Sequence, residues 1–260
     1  MNGKAWDSVA ATFEDDIFNT LTGDRNKRIL RHIDQFSSKD STVCDFGCGV
    51  GRYLPLLSER FKAVCAVDLS RKCLEVARRN FGVLENVTFY RADLSSANSE
   101  LDQFDFAICI NALLARSTRK RRAAVETIFE HLKPGGHLLI VVPSLESALF
   151  STSRLFDWRE RANNRHLNGF ALKFGPADSR GLDIARGVLN IDGWHEKHYL
   201  KEELSVELSD VGFKVDEMEK VEYSWSAMFD KPPRWMREPY PWDWLAVCSK
   251  WPAKKDSSTV

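Results

Sequence analysis

Three glycines at alternate positions stand behind an aspartate in CDFGCGVGRY, residues 44–53: Asp45, then Gly47, Gly49 and Gly51. Two further carboxylates follow in similar settings, Asp68 after AVCAV and Asp93 after VTFYRA. Each stands at or just past the end of a short apolar run. A glycine-rich turn between a strand and a helix lets a ligand come against bare backbone. Carboxylates at successive strand ends accept hydrogen bonds from hydroxyls, amines or ammonium groups. The chemistry so outlined is recognition of a nucleotide-like cofactor.

Two cofactor classes suit such a turn. A dinucleotide brings a pyrophosphate and asks for G-x-G-x-x-G/A. Here neither register fits: counting from Gly47 and Gly49 the third position is Arg52, and from Gly49 and Gly51 it is Leu54. Asp45 would also repel a pyrophosphate. S-adenosylmethionine (SAM) instead brings an amino acid, a sulfonium, a ribose and an adenine, and Asp45 suits its ammonium, directly or through water. Asp68 suits the ribose hydroxyls, a device that NAD enzymes share. Asp93 suits the exocyclic amine of adenine, with backbone contacts from Ala92 or Leu94.

The elements that must position these groups alternate along the chain. Strands are expected at Val43 to Phe46, Ala63 to Val67, Val87 to Tyr90, Phe104 to Ile110 and His137 to Val142. Helices are expected at Gly51 to Arg60, Ser70 (as cap) to Asn80 and Arg119 to Leu132, the last stopped by Lys-Pro-Gly-Gly. Such alternation argues for βαβ units, a parallel sheet and helices on both faces. Residues 1–36 read as amphipathic helix interrupted at Gly23-Asp24. Residues 144–193 are polar and without clear period, which marks a long functional insertion. From Tyr199 the rhythm returns, with a helix at Lys201 to Asp210 and strands at Phe213 to Tyr223 and Trp242 to Ser249.

In this order the motifs resemble those of the class I SAM-dependent methyltransferases: VCDFGCGVGRY the first motif, AVDLS the ribose-binding strand end, RADLSS the adenine-binding turn, FDFAICINALL the fourth strand, LKPGGHLLI the turn into the fifth, and HYLKEELSVELSDVGF the helix before the sixth. The resemblance covers roughly residues 40–142 and 194–249. It implies an α/β, Rossmann-like doubly wound sheet of seven strands, mostly parallel with an antiparallel last strand. The implied domain plan is a helical lid (1–36), a SAM-binding core (37–143), an acceptor-side insertion (144–193), the rest of the core sheet (194–250) and a disordered tail (251–260). By resemblance Asp45, Gly47, Gly49 and Gly51 hold the methionine part, Asp68 and Leu69 the ribose and adenine edge, and Asp93 and Leu94 the adenine. Asn111 faces the amino acid or the methyl group, and Trp6 and Phe13 fold over the cofactor.

Methyl transfer from a sulfonium needs proximity, alignment and dryness, and a base only if the acceptor must lose a proton. The candidates for catalysis lie in GWHEKHYL: His195 and His198 as general base, each equally able to cap a helix, and Tyr199 as an acceptor or lid contact. Trp225, Phe229, Trp235, Tyr240, Trp242 and Trp244 either line an acceptor pocket or pack the sheet. The basic run Arg116, Arg119, Lys120, Arg121 and Arg122 reads as a solvated face.

The 260 residues carry 37 basic and 37 acidic side chains, so no global field favours a nucleic-acid partner. No apolar run reaches the roughly 18–20 residues of a membrane span, and the N-terminus lacks a signal-peptide core. The expected location is the cytoplasm and the expected partner a small-molecule methyl acceptor. No oligomeric state is written in the sequence. The six cysteines form no CxxC pair or zinc-ligand cluster and read as core residues, so no metal is expected. The fourth strand exits as INALL, without the Asn/Asp-Pro-Pro-aromatic turn of DNA adenine methyltransferases. No Pro-Cys nucleophile of RNA cytosine-C5 enzymes is present. A non-catalytic SAM-binding partner, an RNA methyltransferase and an NAD(P)-dependent oxidoreductase are the alternatives to a methyltransferase of small molecules, whose product would be S-adenosylhomocysteine (SAH).

Overall fold

The computed structural model describes residues 3–13, 17–96, 101–162, 183–191 and 194–251. Seven strands form one sheet in the order β3-β2-β1-β4-β5-β9-β8. They are β1 (Thr42–Phe46), β2 (Ala63–Asp68), β3 (Val87–Arg91), β4 (Phe104–Ile110), β5 (Leu132–Pro143), β8 (Phe213–Glu222) and β9 (Trp242–Lys250). The pairings β1–β2, β1–β4, β2–β3 and β4–β5 are parallel. β9 runs antiparallel to both its neighbours. Chain order thus reverses between β1 and β4, and ligands of open α/β sheets bind outside the strand ends at such a point.

Central strands read as continuous apolar runs because both faces are covered. Phe46, Val67, Ala107 and Ile140 are fully buried in this way. Cys44, Cys65, Cys109 and Cys248 sit in the same strands as small core residues, and all six thiols are buried and unbridged.

The helices are α1 (Gly3–Val9), α2 (Thr20–Gly23), α3 (Arg28–Phe36), α4 (Leu54–Ser58), α5 (Arg71–Phe81), α6 (Thr118–Glu130), α7 (Leu145–Arg161), α8 (Lys201–Val211) and α9 (Trp225–Met228). Ser70 caps α5 by accepting from Cys73 N–H, and Ser117 caps α6 by accepting from Lys120 N–H. The glycine turn is followed by a helix of five residues, much shorter than the expected Gly51 to Arg60. The N-terminal segment is three short helices. Asp7 on α1 accepts from Ser70 Oγ at 2.6 Å and Lys72 N–H at 3.0 Å, which docks α1 on the start of α5.

Residues 144–193 hold more order than their polarity suggests. α7 starts directly after β5, with Ser144 accepting from Ser147 N–H. A two-stranded hairpin follows, β6 (Val188–Ile191) against β7 (Trp194–Lys197). A 3-10 turn, Ile184–Arg186, leads into it; residues 163–182 and 192–193 of the insertion, and the expected tail beyond Trp251, lie outside the described residues. Arg121 departs from the solvated-face reading of its basic run. It is buried, donates to the Ala115 and Arg116 carbonyls at 3.1 Å, and pairs with Glu207 at 2.7 Å. Arg116, Arg119, Lys120 and Arg122 are exposed as expected. Among the described residues no helix is long and apolar enough to cross a membrane.

Candidate active site

Two cavities open at the carboxyl ends of the strands and share part of their wall. The first, about 220 Å³, lies against the glycine turn. The second, about 370 Å³, lies between the N-terminal segment, α7, β7 and the β8–β9 end of the sheet. Trp6, Ile17, Asn111 and Leu114 line both.

The first cavity gathers the sequence-predicted cofactor residues Asp45, Gly47, Gly49, Asp68, Leu69, Asp93, Leu94 and Asn111. Gly51 is not among its walls. A side chain there would strike Leu54, Phe81 and Ala77, so Gly51 serves the packing of the turn on α5. Gly47 has φ +84, and a Cβ on it would come within 2.3 Å of the Ala112 methyl. That is where the turn passes the exit of β4. The N–H groups of Gly47, Cys48 and Gly49 are occupied: Gly47 and Cys48 donate to the Val67 carbonyl at 2.7 and 3.0 Å, and Gly49 donates to Asp68 Oδ2 at 2.8 Å. The loop therefore gives a ligand room and leaves polar recognition to the carboxylates.

Asp45 has the sharpest electrostatics. It is 2% exposed, and its Oδ2 has no hydrogen-bond partner. Burial, with the neighbouring Asp68 charge second, pushes its carboxyl up to about 8. A buried carboxylate with an orphan oxygen fits a cationic ligand group, which would supply both the missing donor and the missing charge. Asp68 is raised as well, first by burial, while the N–H groups of Ser70 (2.7 Å to Oδ1) and Gly49 pull the other way. Asp93 accepts from both Ser95 N–H and Ser95 Oγ, at 2.9 and 2.7 Å, which holds the turn after β3 in shape.

Sequence reasoning missed Tyr53, Thr20 and Arg52. Tyr53 and Thr20 join hydroxyls at 2.8 Å and line the first cavity beside Asp45. Arg52 donates to the carbonyls of Phe13, Ile17 and Phe18 and so ties the N-terminal strap to the glycine turn. Its position, as the residue that spoils a dinucleotide fingerprint, was the available signal. Phe13 then lies over Gly49, where an added Cβ would meet its ring at 2.9 Å.

Asn111 sits where the cavities meet, with φ 51, a left-handed conformation that Asn tolerates. Its Nδ2 donates to Asp243 Oδ2 at 3.3 Å, and its buried Oδ1 has no partner. Tyr223 donates to the same carboxylate oxygen at 2.8 Å. Burial raises Asp243 to about 6 against these hydrogen bonds.

The three residues picked from GWHEKHYL part company. His198 lines the second cavity, with Nδ1 buried and unpartnered. Burial holds its pKa down to about 4, with a hydrogen bond to the Glu196 backbone opposing and the Lys197 charge assisting. His195 is exposed on β7 and lines neither cavity, since alternation along the strand gives the walls to Trp194 and Glu196. Tyr199 is fully buried, donates from its hydroxyl to the Leu113 carbonyl at 2.8 Å and lines neither cavity. Of the six aromatic candidates only Trp242 lines the second cavity. Trp225 and Phe229 stack at 5.6 Å in a separate cluster with Leu155 and Met236.

Residues 43–136 match a family model described as a methyltransferase domain. Trans-aconitate 2-methyltransferase of Deinococcus radiodurans is 27% identical over 135 residues, 52% of this chain and 49% of that protein. The ubiquinone/menaquinone biosynthesis C-methyltransferase UbiE of Wigglesworthia glossinidia brevipalpis is 25% identical over 139 residues, 50% of this chain and 55% of that protein. The chain thus spans about half the length of these curated relatives. The structure of the N-methyltransferase NodS from Bradyrhizobium japonicum WM9 with SAH shares the fold, with TM-score 0.61 at 14% identity over 95% of this chain and 97% of that one.

Proposed function

We propose that the chain moves a methyl group from SAM to a small-molecule acceptor by in-line displacement, a reading supported by the methyltransferase-domain match over residues 43–136 and by the Rossmann-like fold. One observation carries this reading: two cavities at the strand ends meet at Asn111, the first bearing the orphan carboxylate of Asp45 and the second mostly apolar. A donor and an acceptor held on either side of one residue is what a direct transfer between two bound molecules requires.

When bound, SAM supplies an electrophilic methyl on a sulfonium that leaves as a neutral thioether. The chain's residues do the rest. Asp45 would accept from the ammonium, Asp68 from the ribose hydroxyls and Asp93 from the adenine amine, with Leu69 and Leu94 beside the base. Trp6, Phe13 and Ile17 cover the site and exclude water. Of His195, His198 and Tyr199, His198, neutral at pH 7, is the one on the acceptor side. Its unpartnered Nδ1 would accept a hydrogen bond from the acceptor.

Calorimetric titration with SAH, with NAD as control, tests the reading. Micromolar binding of SAH and none of NAD is the expected outcome, and the reverse overturns it.

A further inference from the structure

The acceptor cavity has a lopsided charge inventory. Two carboxylates, Glu196 and Asp243, line it, and among the described residues no Lys or Arg does. Lys197, next along β7, is fully buried but bound to Glu203 at 2.6 Å and to the Arg186 carbonyl at 2.9 Å. Lys220 is exposed and lies over the Trp242 ring at 3.6 Å without lining the cavity.

The donors nearest the cavity are engaged too. The Tyr223 hydroxyl is on Asp243, and the Ser144 hydroxyl is on Glu146 at 3.0 Å. Trp242 Nε1 is the buried donor of the lining that has no partner. Acceptors are in surplus: the unpartnered Asn111 Oδ1 and the unpartnered His198 Nδ1, beside the Asp243 carboxylate, which already accepts from Tyr223, Asn111 and the Ser144 backbone. Trp6, Trp194, Trp242 and Tyr223 supply aromatic wall, and aromatic faces attract cations. The volume, about 370 Å³, is at the small end of ligand pockets, roughly 300–1,000 Å³.

We propose that this cavity takes a small cationic amine on an apolar or aromatic body and turns away carboxylates. The inference deepens the methyl-transfer reading and rests on it. The ammonium would lie between Asp243 and Asn111 Oδ1, at the junction with the cofactor cavity, so nitrogen is the methyl acceptor. The ammonium first gives one proton to the Asp243 carboxylate. The freed nitrogen pair then forms the C–N bond, the C–S pair stays on sulfur, and the carboxylate passes its proton to solvent. An acid such as the trans-aconitate named for one relative would meet two like charges and, among the described lining residues, no Lys or Arg.

Three probes with one body separate the cases: tryptamine, indole-3-ethanol and indole-3-acetate, titrated calorimetrically into the full chain saturated with SAH. Tryptamine is expected to bind at least tenfold more tightly than the alcohol, and the acetate not measurably. Asp243→Asn should shrink the tryptamine preference. Glu196→Gln, which keeps the Asn111 and Tyr223 hydrogen bonds intact, should shrink it by a smaller factor. Equal or tighter binding of the acetate, no binding of any probe, or a preference unchanged in both variants overturns the inference. Failure of SAH itself to bind strikes the methyl-transfer reading instead, and is seen in the first titration.

Discussion

The two cavities are built differently. The cofactor side rests chiefly on short stretches that each follow a strand, around Asp45, Asp68, Asp93 and Asn111, with the N-terminal segment closing over them through Trp6, Phe13, Ile17 and Thr20. The acceptor side is assembled from the N-terminal segment, the β5–α7 junction, β7 and the ends of β8 and β9, single residues brought together from far apart in the chain. A cofactor of fixed shape is met by a fixed backbone. A variable acceptor is met by side chains on elements added around it.

The difference predicts that damage on one side leaves the other intact. Asp68→Ala should weaken SAH about 30-fold, roughly 2 kcal/mol for charge-assisted hydrogen bonds. Part of that loss belongs to the Gly49 and Ser70 N–H groups it also holds. Unchanged affinity in the folded variant would remove Asp68 from the site. His198→Ala removes a hydrogen-bond acceptor for the substrate and should lower kcat/KM by up to about tenfold, with SAH affinity within twofold of the parent. A joint loss of both would mean that the two sides are one structural unit.

Protons sharpen the comparison. Asp45 keeps its proton up to about pH 8 in the folded chain and only to its ordinary value of 3.8 when unfolded. The folded state therefore holds the extra proton, and cofactor-free stability contributed by this group falls as pH rises through that window. A cationic ligand group favours the ionised carboxyl, so SAH affinity should rise about tenfold from pH 6 to pH 8 and level off above. Asp68, Tyr53, Cys44, Cys48 and Cys109 are the other titratable groups around Asp45, which makes Asp45→Asn the control. It should flatten the profile, and a profile that keeps its slope would point to those neighbours.

The smallest effect concerns α7. Phe156 and Leu149 are 55% and 46% exposed, so Phe156→Gln should shift stability by no more than about 0.5 kcal/mol. A larger loss on thermal unfolding would show that this face is covered.

Those same residues explain what the sequence hid. Strands β1, β2, β4 and β5 were legible because burial on both faces writes an uninterrupted apolar run. The cofactor residues were legible because each follows such a run. α7 was not, since its buried positions carry Leu145, Ala148 and Leu155 with Ser147 and Ser151, while two of its largest apolar side chains face out. The helical period is there, with its sign blurred. The β6–β7 hairpin had a signal in Asp-Gly between VLNI and WHEK. Its strand alternation also separates His195 from His198. Tyr199 was misleading for a physical reason: a tyrosine beside a cavity is as readily an anchor, and here its hydroxyl fixes the exit of β4 through Leu113.

Trp6 and Ile17 are walls of both cavities, and Arg52 ties the strap that includes Ile17 to the glycine turn. A ligand in either cavity touches one and the same segment, so occupancy of one cavity bears on the other. The two affinities are then linked, and by thermodynamic reciprocity equally in both directions. A spent cofactor that stays bound would alter the hold on the acceptor, so the departure of one is tied to the departure of the other.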